Sequence, residues 1–289
     1  MSSIEPVKIL SRIATRIRAN VASTEWQTFV HRFELHFSHL RALFFSLYGH
    51  RSDFEQQLES LMVIVAQSWL DRAPDLKRID AEREANPRWF QSNQMVGGIA
   101  YVDLFGGNLE GIRAKLPYFK ELGLTYLHLM PLFLAPEGNS DGGYAVSSYR
   151  EVNPKLGTID QLRSLASDLR HEGISLCVDF IFNHTSDEHE WAKRAIAGDA
   201  KYRDFYRIMD RAEADTYDQN LREIFPDQHP GAFTSLSRWT GKPSNEWIWT
   251  TFNSFQLDLD YSNPEVFTGM AGEMLFLANV GVDVLRMEA

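Results

Sequence analysis

From Trp26 the apolar positions fall at Phe29, Val30, Phe33, Phe37, Leu40, Phe44 and Leu47, and these steps of three and four mark one face of a helix. Gly49 supplies a stop. A second periodic run follows Ser52 and Asp53, either of which suits a helix cap, and continues through Phe54, Leu58, Leu61, Met62, Val65 and Trp69. Ala73 to Asn86 is rich in charge and predicts a third, more exposed helix that Pro87 closes. Residues 1–90 therefore read as a helical N-terminal domain. An aromatic stripe at helical spacing is core packing, so this domain is assigned no chemistry.

At about residue 97 the pattern changes, and 91–289 reads as a second domain. Gly97 to Phe105 predicts a strand, Leu109 to Leu122 a helix stopped by Gly123, and Thr125 to Met130 a strand closed by Pro131. Thr158 to His171 predicts a helix with Thr158 as its cap and Gly173 as its stop. Ile174 to Phe182 is a strand whose almost unbroken apolar run suits burial on both faces. Pro264 to Asn279 predicts another helix, and Val282 to Met287 a last strand. Strand and helix in alternation imply right-handed parallel βαβ units, an α/β architecture. Returns from helix to strand are short. The excursions after the second and third strands are long, at 131–157 and 183–262, and the latter (184–262) is large enough for an insertion subdomain. Long loops on the C-terminal side of parallel strands are where barrel enzymes build their sites.

Composition narrows the partners. The formal net charge is −10, so no broad basic field exists for nucleic acid or an anionic membrane surface. With 44% hydrophobic residues a sizeable core can form. Cys177 is the single cysteine, set between Leu176 and Val178, and reads as a buried core thiol. No intrachain disulfide or thiolate metal site is expected. The N-terminus lacks a basic segment followed by an apolar stretch, and no run of about 18 apolar residues suggests a membrane span. The expected location is cytoplasmic.

Three clusters fall at the expected loop end. Asp141-Gly142-Gly143-Tyr144 presents a carboxylate and a ring on a tight turn, or is simply a surface turn. Asp179-Phe-Ile-Phe-Asn183-His184 closes the third strand, with Asp179, Ile181 and Asn183 on one face at period two. A carboxylate in an apolar strand needs hydrogen bonds to be buried. The alternative there is a satisfied core histidine with a structural Asp. In the third cluster, Asp283-Val-Leu-Arg286-Met-Glu288, Arg286 and Glu288 point to the same side of a strand. The arginine favours the ionised carboxylate and fixes its rotamer, as a nucleophile requires; an ordinary strand-end ion pair would look the same.

Together these clusters resemble the alpha-amylase superfamily of retaining glycoside hydrolases and transglycosylases. The resemblance is closer to its sucrose-cleaving branch, which contains amylosucrase and sucrose hydrolase. It is carried by Asp141-Gly-Gly-Tyr-Ala-Val-Ser-Ser-Tyr-Arg150, Asn183-His-Thr-Ser-Asp187, Thr251-Phe-Asn-Ser-Phe-Gln256 and the helical domain ahead of the barrel. It implies the first half of a TIM-type (β/α)8 barrel with a long insertion after strand three. It also implies roles: Asp141 helps close the sugar pocket, normally by pairing with a later arginine, Tyr144 stacks on the glucosyl ring and His184 binds its 6-hydroxyl. Phe252 and Gln256 lie near the acceptor or fructosyl side. Asp179 and Asn183 are structural, Arg286 orients the nucleophile, and Glu288 stands at the nucleophile position. No cofactor and no metal are implied; the expected partners are sucrose and an α-glucan acceptor.

The chain departs from the family in two ways. Glu288 replaces the family's Asp, which displaces the carboxylate by on the order of 1 Å, a misplacement that can cost about 100-fold in rate. The family's acid/base Glu, its third carboxylate and its pocket arginine follow later strands, whereas this sequence stops at Ala289. The expectation is a sucrose-cleaving α-glucosyl transferase or hydrolase site that is inactive in this polypeptide alone, which would also not stay monodisperse. The alternatives are a non-catalytic fragment and a weak sugar-binding module built on Asp141, Tyr144 and His184.

Overall fold

A computed structural model describes residues 6–289, so the first residues of the expected helical domain lie outside the described part. The chain divides into two compact units. One runs to Asn86 and takes in Pro264–Asn279; the other holds Pro87–Asn263 with Val280–Ala289. The helix expected at Pro264 to Asn279 thus groups with the N-terminal helices rather than with the rest of 91–289.

The helical unit contains α1 (Pro6–Arg16), α2 (Thr24–Tyr48), α3 (Phe54–Asp71), α4 (Pro74–Ala85) and the helix Pro264–Val280. The stripe on α2 is its core face: Trp26, Phe29, Phe33, Phe37 and Phe44 are buried. Phe33 and Phe37, one turn apart, stack with centroids 4.3 Å apart. The last step of the stripe differs from expectation. Leu47 is 55% exposed and Tyr48 is buried in its place, because the Tyr48 ring meets Phe44 and Phe267. Phe267 and Ala271 of the later helix pack against the same cluster, which is why that helix belongs to this unit. Asp53 does not cap α3. Arg51 draws its carboxylate away with contacts of 2.8 and 3.0 Å, Gln57 donates to it at 3.0 Å, and these bonds hold its carboxyl at about 2.

The second unit carries a parallel sheet of four strands in the order β1-β2-β5-β11: β1 (Gly97–Ala100), β2 (Tyr126–Leu129), β5 (Ser175–Ile181) and β11 (Val284–Glu288). This is a partial TIM-barrel-like region. β1 and β11 are its edges, and Ile99 and Met287 on them are 65% and 48% exposed. Thr158 closes a full capping box with Gln161 at the start of the helix Ile159–His171. Gly173, at φ +75°, ends the turn that returns the chain to β5.

Two expected elements are shorter. The first strand ends at Ala100, and Val102–Gly106 is helical, with Leu104 81% exposed. Gly106 and Gly111 allow this: a Cβ on Gly111 would lie 1.7 Å from the Gly106 carbonyl oxygen, so side chains there would part the two short helices. The helix expected at Leu109 to Leu122 is two pieces, Leu109–Ala114 and Leu116–Glu121, with Pro117 in the first turn of the second.

Both long excursions have structure of their own. In the first, β3 (Phe133–Leu134) pairs antiparallel with β4 (Ser148–Val152). In the second, β6 (His184–Ser186) pairs antiparallel with β10 (Gln256–Asp258). Between them β7 (Ile208–Asp210), β8 (Phe233–Ser235) and β9 (Glu246–Trp249) form a separate antiparallel sheet in the order β7-β9-β8. Met209, Ala214, Ala232 and Phe233 form a small core there, with Trp247 and Trp249 against it. No helix among the described residues is long and apolar enough to cross a membrane.

Candidate active site

Parallel register decides which side chains stand together. His128 pairs with Cys177 and Cys177 with Val284; one rung further on, Asp179 pairs with Arg286 and Ile181 with Glu288. Partners across a parallel ladder point to the same face, so these residues share one side of the sheet. Asn183 does not continue the row. β5 ends at Ile181, and Asn183 lies in the bend before β6.

Asp179 is the anchor of this face, its side chain 0% exposed. Arg286 Nη1 donates to Asp179 Oδ1 at 2.5 Å, and His128 Nε2 lies 3.2 Å from Asp179 Oδ2. The other branch of the guanidinium, Nη2, meets Glu288 Oε2 at 2.5 Å. Hydrogen bonding to Asp179 pushes the Arg286 guanidinium further up, so it stays charged. One cation thus serves two carboxylates, one buried and one partly open to solvent.

A second, uncharged cluster is built by the loops. Asn253 Nδ2 donates to Gln256 Oε1 at 2.8 Å, which fixes the orientation of that amide. Gln256 Nε2 lies 3.0 Å from both Asp141 Oδ2 and His184 Nε2, and so has one hydrogen for each. His184 Nε2 is also 3.2 Å from the Tyr144 carbonyl oxygen. The tautomer decides which neighbour this nitrogen serves: bare, it accepts from Gln256; protonated, it donates to Tyr144. Burial lowers the His184 pKa to about 4, so the ring is neutral near pH 7. The Phe252 ring sits 5.4 Å from it.

Tyr144 joins the clusters. Its carbonyl faces His184, while its hydroxyl is 3.5 Å from Arg286 Nη1. Burial and the nearby Asp179 charge push its phenol up, so it stays protonated. The turn that delivers Tyr144 is strained. Asp141 has φ +50°, a left-handed conformation unusual outside glycine, followed by Gly142 at +64° and Gly143 at +98°. A Cβ on Gly143 would lie 2.9 Å from Pro131 Cβ, so only glycine lets the turn close onto the end of β2. A cleft of about 820 Å³ lined by Tyr101, Pro131, Phe133, Gly142 and Gly143 adjoins this turn.

Residues 75–289 match the alpha-amylase family, described as the alpha amylase catalytic domain. The chain belongs to the alpha-amylase family. Among its relatives are the trehalose synthase/amylase TreS of Mycolicibacterium smegmatis, 36% identical over 185 residues, and maltase 1 of Drosophila virilis, 33% identical over 183. Each alignment covers 63% of this chain but only 29% and 28% of the relative, so the chain spans under a third of their length. The trehalulose synthase MutB of Pseudomonas mesoacidophila superposes with a TM-score of 0.59 at 28% identity, over 68% of this chain and 34% of that one.

Asn183 is expected to be structural at the site. Here Asn183 hydrogen-bonds the Asp258 carboxyl, which burial pushes up to about 6. Among the described residues no three His, Cys, Asp or Glu side chains gather as metal ligands.

Two residues bonded into these clusters are illegible in the sequence. His128 is a single polar residue in an apolar strand, and only the sheet register carries it to Asp179. Asp258 depends on antiparallel pairing with His184, and it accepts hydrogen bonds from the Thr251 backbone N–H and hydroxyl. Gln256 is found with Asp141 and His184, not apart from them.

Proposed function

We propose that this chain forms the glucosyl-binding and nucleophile half of a retaining α-glucosidic site, with sucrose as the glucosyl donor. The observation that carries the reading is the bridge at Tyr144, between the neutral cluster of Asp141, His184 and Gln256 and the charged group of Arg286 and Glu288. A sugar over the Tyr144 ring has hydroxyl partners in the first group and a carboxylate in the second. His184, neutral and wedged between donor and acceptor atoms, suits the 6-hydroxyl. Glu288, held by Arg286, is the group that attacks the anomeric carbon as fructose leaves.

Sucrose as donor is supported by the motifs Asp141 to Arg150 and Thr251 to Gln256, and by a MutB relative solved in complex with the substrate sucrose. Retaining cleavage also needs a second carboxyl, about 5–5.5 Å from the nucleophile, as proton donor. Asp179 does not serve, since both its oxygens are engaged by Arg286 and His128. The chain on its own therefore binds the glucosyl ring and does not turn sucrose over. A weak sugar-binding module is the reading that this favours for the isolated polypeptide.

Titration calorimetry with sucrose tests binding: heat at millimolar sugar, lost in Tyr144→Ala, is expected. No heat at that concentration would sink the proposal. Measurable glucose release by the purified chain would overturn the claim of no turnover. In a context that does turn over, Glu288→Asp is expected to raise the rate by up to about 100-fold, since it withdraws a displacement of order 1 Å. An unchanged rate would show that Glu serves as well.

A further inference from the structure

We infer that His128 is a positioning residue that splits the Arg286 guanidinium between two carboxylates. The inference rests on the reading of Glu288 as the attacking group. A carboxylate with both oxygens free takes an arginine fork through two parallel N–H···O bonds. Asp179 is buried and faces Arg286 across the ladder, so it is placed for such a pair. It does not make one. His128 Nε2 stands 3.2 Å from Oδ2 and occupies one of its acceptor sites, and Arg286 meets the carboxylate at Oδ1 through Nη1. The guanidinium is therefore held through one branch, and Nη2 is directed to Glu288 Oε2 at 2.5 Å.

His128 comes from β2, one rung below Asp179, and is itself 6% exposed. The arrangement requires its proton on Nε2, because a carboxylate oxygen only accepts. His128 thus acts on Glu288 at two removes, by denying Arg286 its preferred partner geometry. A histidine that merely filled space would leave the fork unaffected by its removal.

The test uses the full 289-residue chain. Long-range ¹H–¹⁵N spectra of the wild type are expected to show the His128 proton on Nε2; a proton on Nδ1 alone overturns the inference. In a crystal structure of His128→Phe, Arg286 is expected to turn both branches to Asp179 and to lose its contact with Glu288. A fork that still reaches Glu288 in that variant overturns it. His128→Gln retains an N–H donor at similar reach and is expected to keep the bridge; loss of the bridge in a folded His128→Gln counts against the role. If His128→Phe does not fold, the wild-type tautomer and the His128→Gln structure decide. None of these measurements involves sugar. A chain that switches its fork but binds no sucrose therefore keeps this inference while the functional proposal fails. Where turnover is available, His128→Phe is expected to lower kcat by about 10- to 100-fold with KM little changed, and His128→Gln to restore most of it.

Discussion

The helical unit buries ring carbons, whereas the inner face of the parallel sheet buries a carboxylate. On α2 and α3 the side chains sealed from water are Phe29, Phe33, Phe37, Leu58 and Met62, and the ion pair between Arg12 of α1 and Glu59 of α3 stays partly in solvent. On the sheet, the Asp179 side chain is fully buried and is contacted by Arg286 and His128. Burying rings is favourable at every position that packs well. Burying a carboxylate is costly unless its partners are in place, and replacing such a pair by apolar groups often loses nothing. A stability argument explains the first region completely. It does not explain why the second is charged, whereas the proposed site does.

Three changes break or sharpen this contrast. The largest effect is expected for Phe33→Ala, about 3–5 kcal/mol lost from the helical unit through its cavity, read from the urea midpoint. Sugar binding by the second unit is expected to survive at temperatures where that unit remains folded. A loss below 1 kcal/mol would show that the stripe is loosely packed.

Asp179→Asn comes next. It leaves Arg286 without its buried counter-charge, but that guanidinium is 45% exposed and regains water. The expected cost is about 1–3 kcal/mol, smaller than for a pair sealed on both sides. Sucrose binding is expected to weaken, because Arg286, which also reaches the Tyr144 hydroxyl, loses its buried anchor. Unaltered binding would mean that the buried charge is structural only, and the contrast between the units would fall.

The smallest effect is in pH dependence. Burial holds His184 and His189 at about 4 against 6.5 in the unfolded chain. The unfolded state therefore binds protons that the fold does not, and the stability these rings contribute declines as pH falls from about 6.5 towards 4. Asp258 has the opposite sign. Its carboxyl sits at about 6 against 3.8 unfolded, so the fold binds a proton first and gains stability as pH falls through about 6. Asp258→Asn removes that compensation, and its thermal midpoint is expected to drop more steeply between pH 6 and 4 than that of the wild type. Equal slopes would refute the upward shift of the Asp258 carboxyl.

How far each region is legible in the sequence follows from the range of its interactions. The α2 stripe could be read because positions three and four apart face the same way whatever else the chain does. The cap at Thr158 was legible for the same reason: its partner Gln161 is three residues away. Asp53 misled because Arg51 competes for the same carboxylate, a contest that local propensity does not resolve. The first strand was over-extended because an apolar run such as Val102 to Phe105 does not by itself separate strand from helix.

At the site, Asp141, Tyr144, Asp179, His184, Arg286 and Glu288 were legible as three short motifs, and period two alone put Arg286 beside Glu288. The bonds between motifs were not legible. Gln256 reaches Asp141 across 115 residues and His184 across 72, through pairing of β10 with β6.

The sequence by itself determined the helical stripe, the alternation of strand and helix, and the chemical groups that gather at the strand ends. Those depend on short-range periodicity and on residue type. Only the tertiary structure decided that Pro264–Asn279 joins the N-terminal helices, that His128 takes one oxygen of Asp179, and that Arg286 is consequently shared with Glu288. Strand register and helix docking are set by contacts between residues far apart in the chain, and no local pattern of hydrophobic and polar positions encodes them.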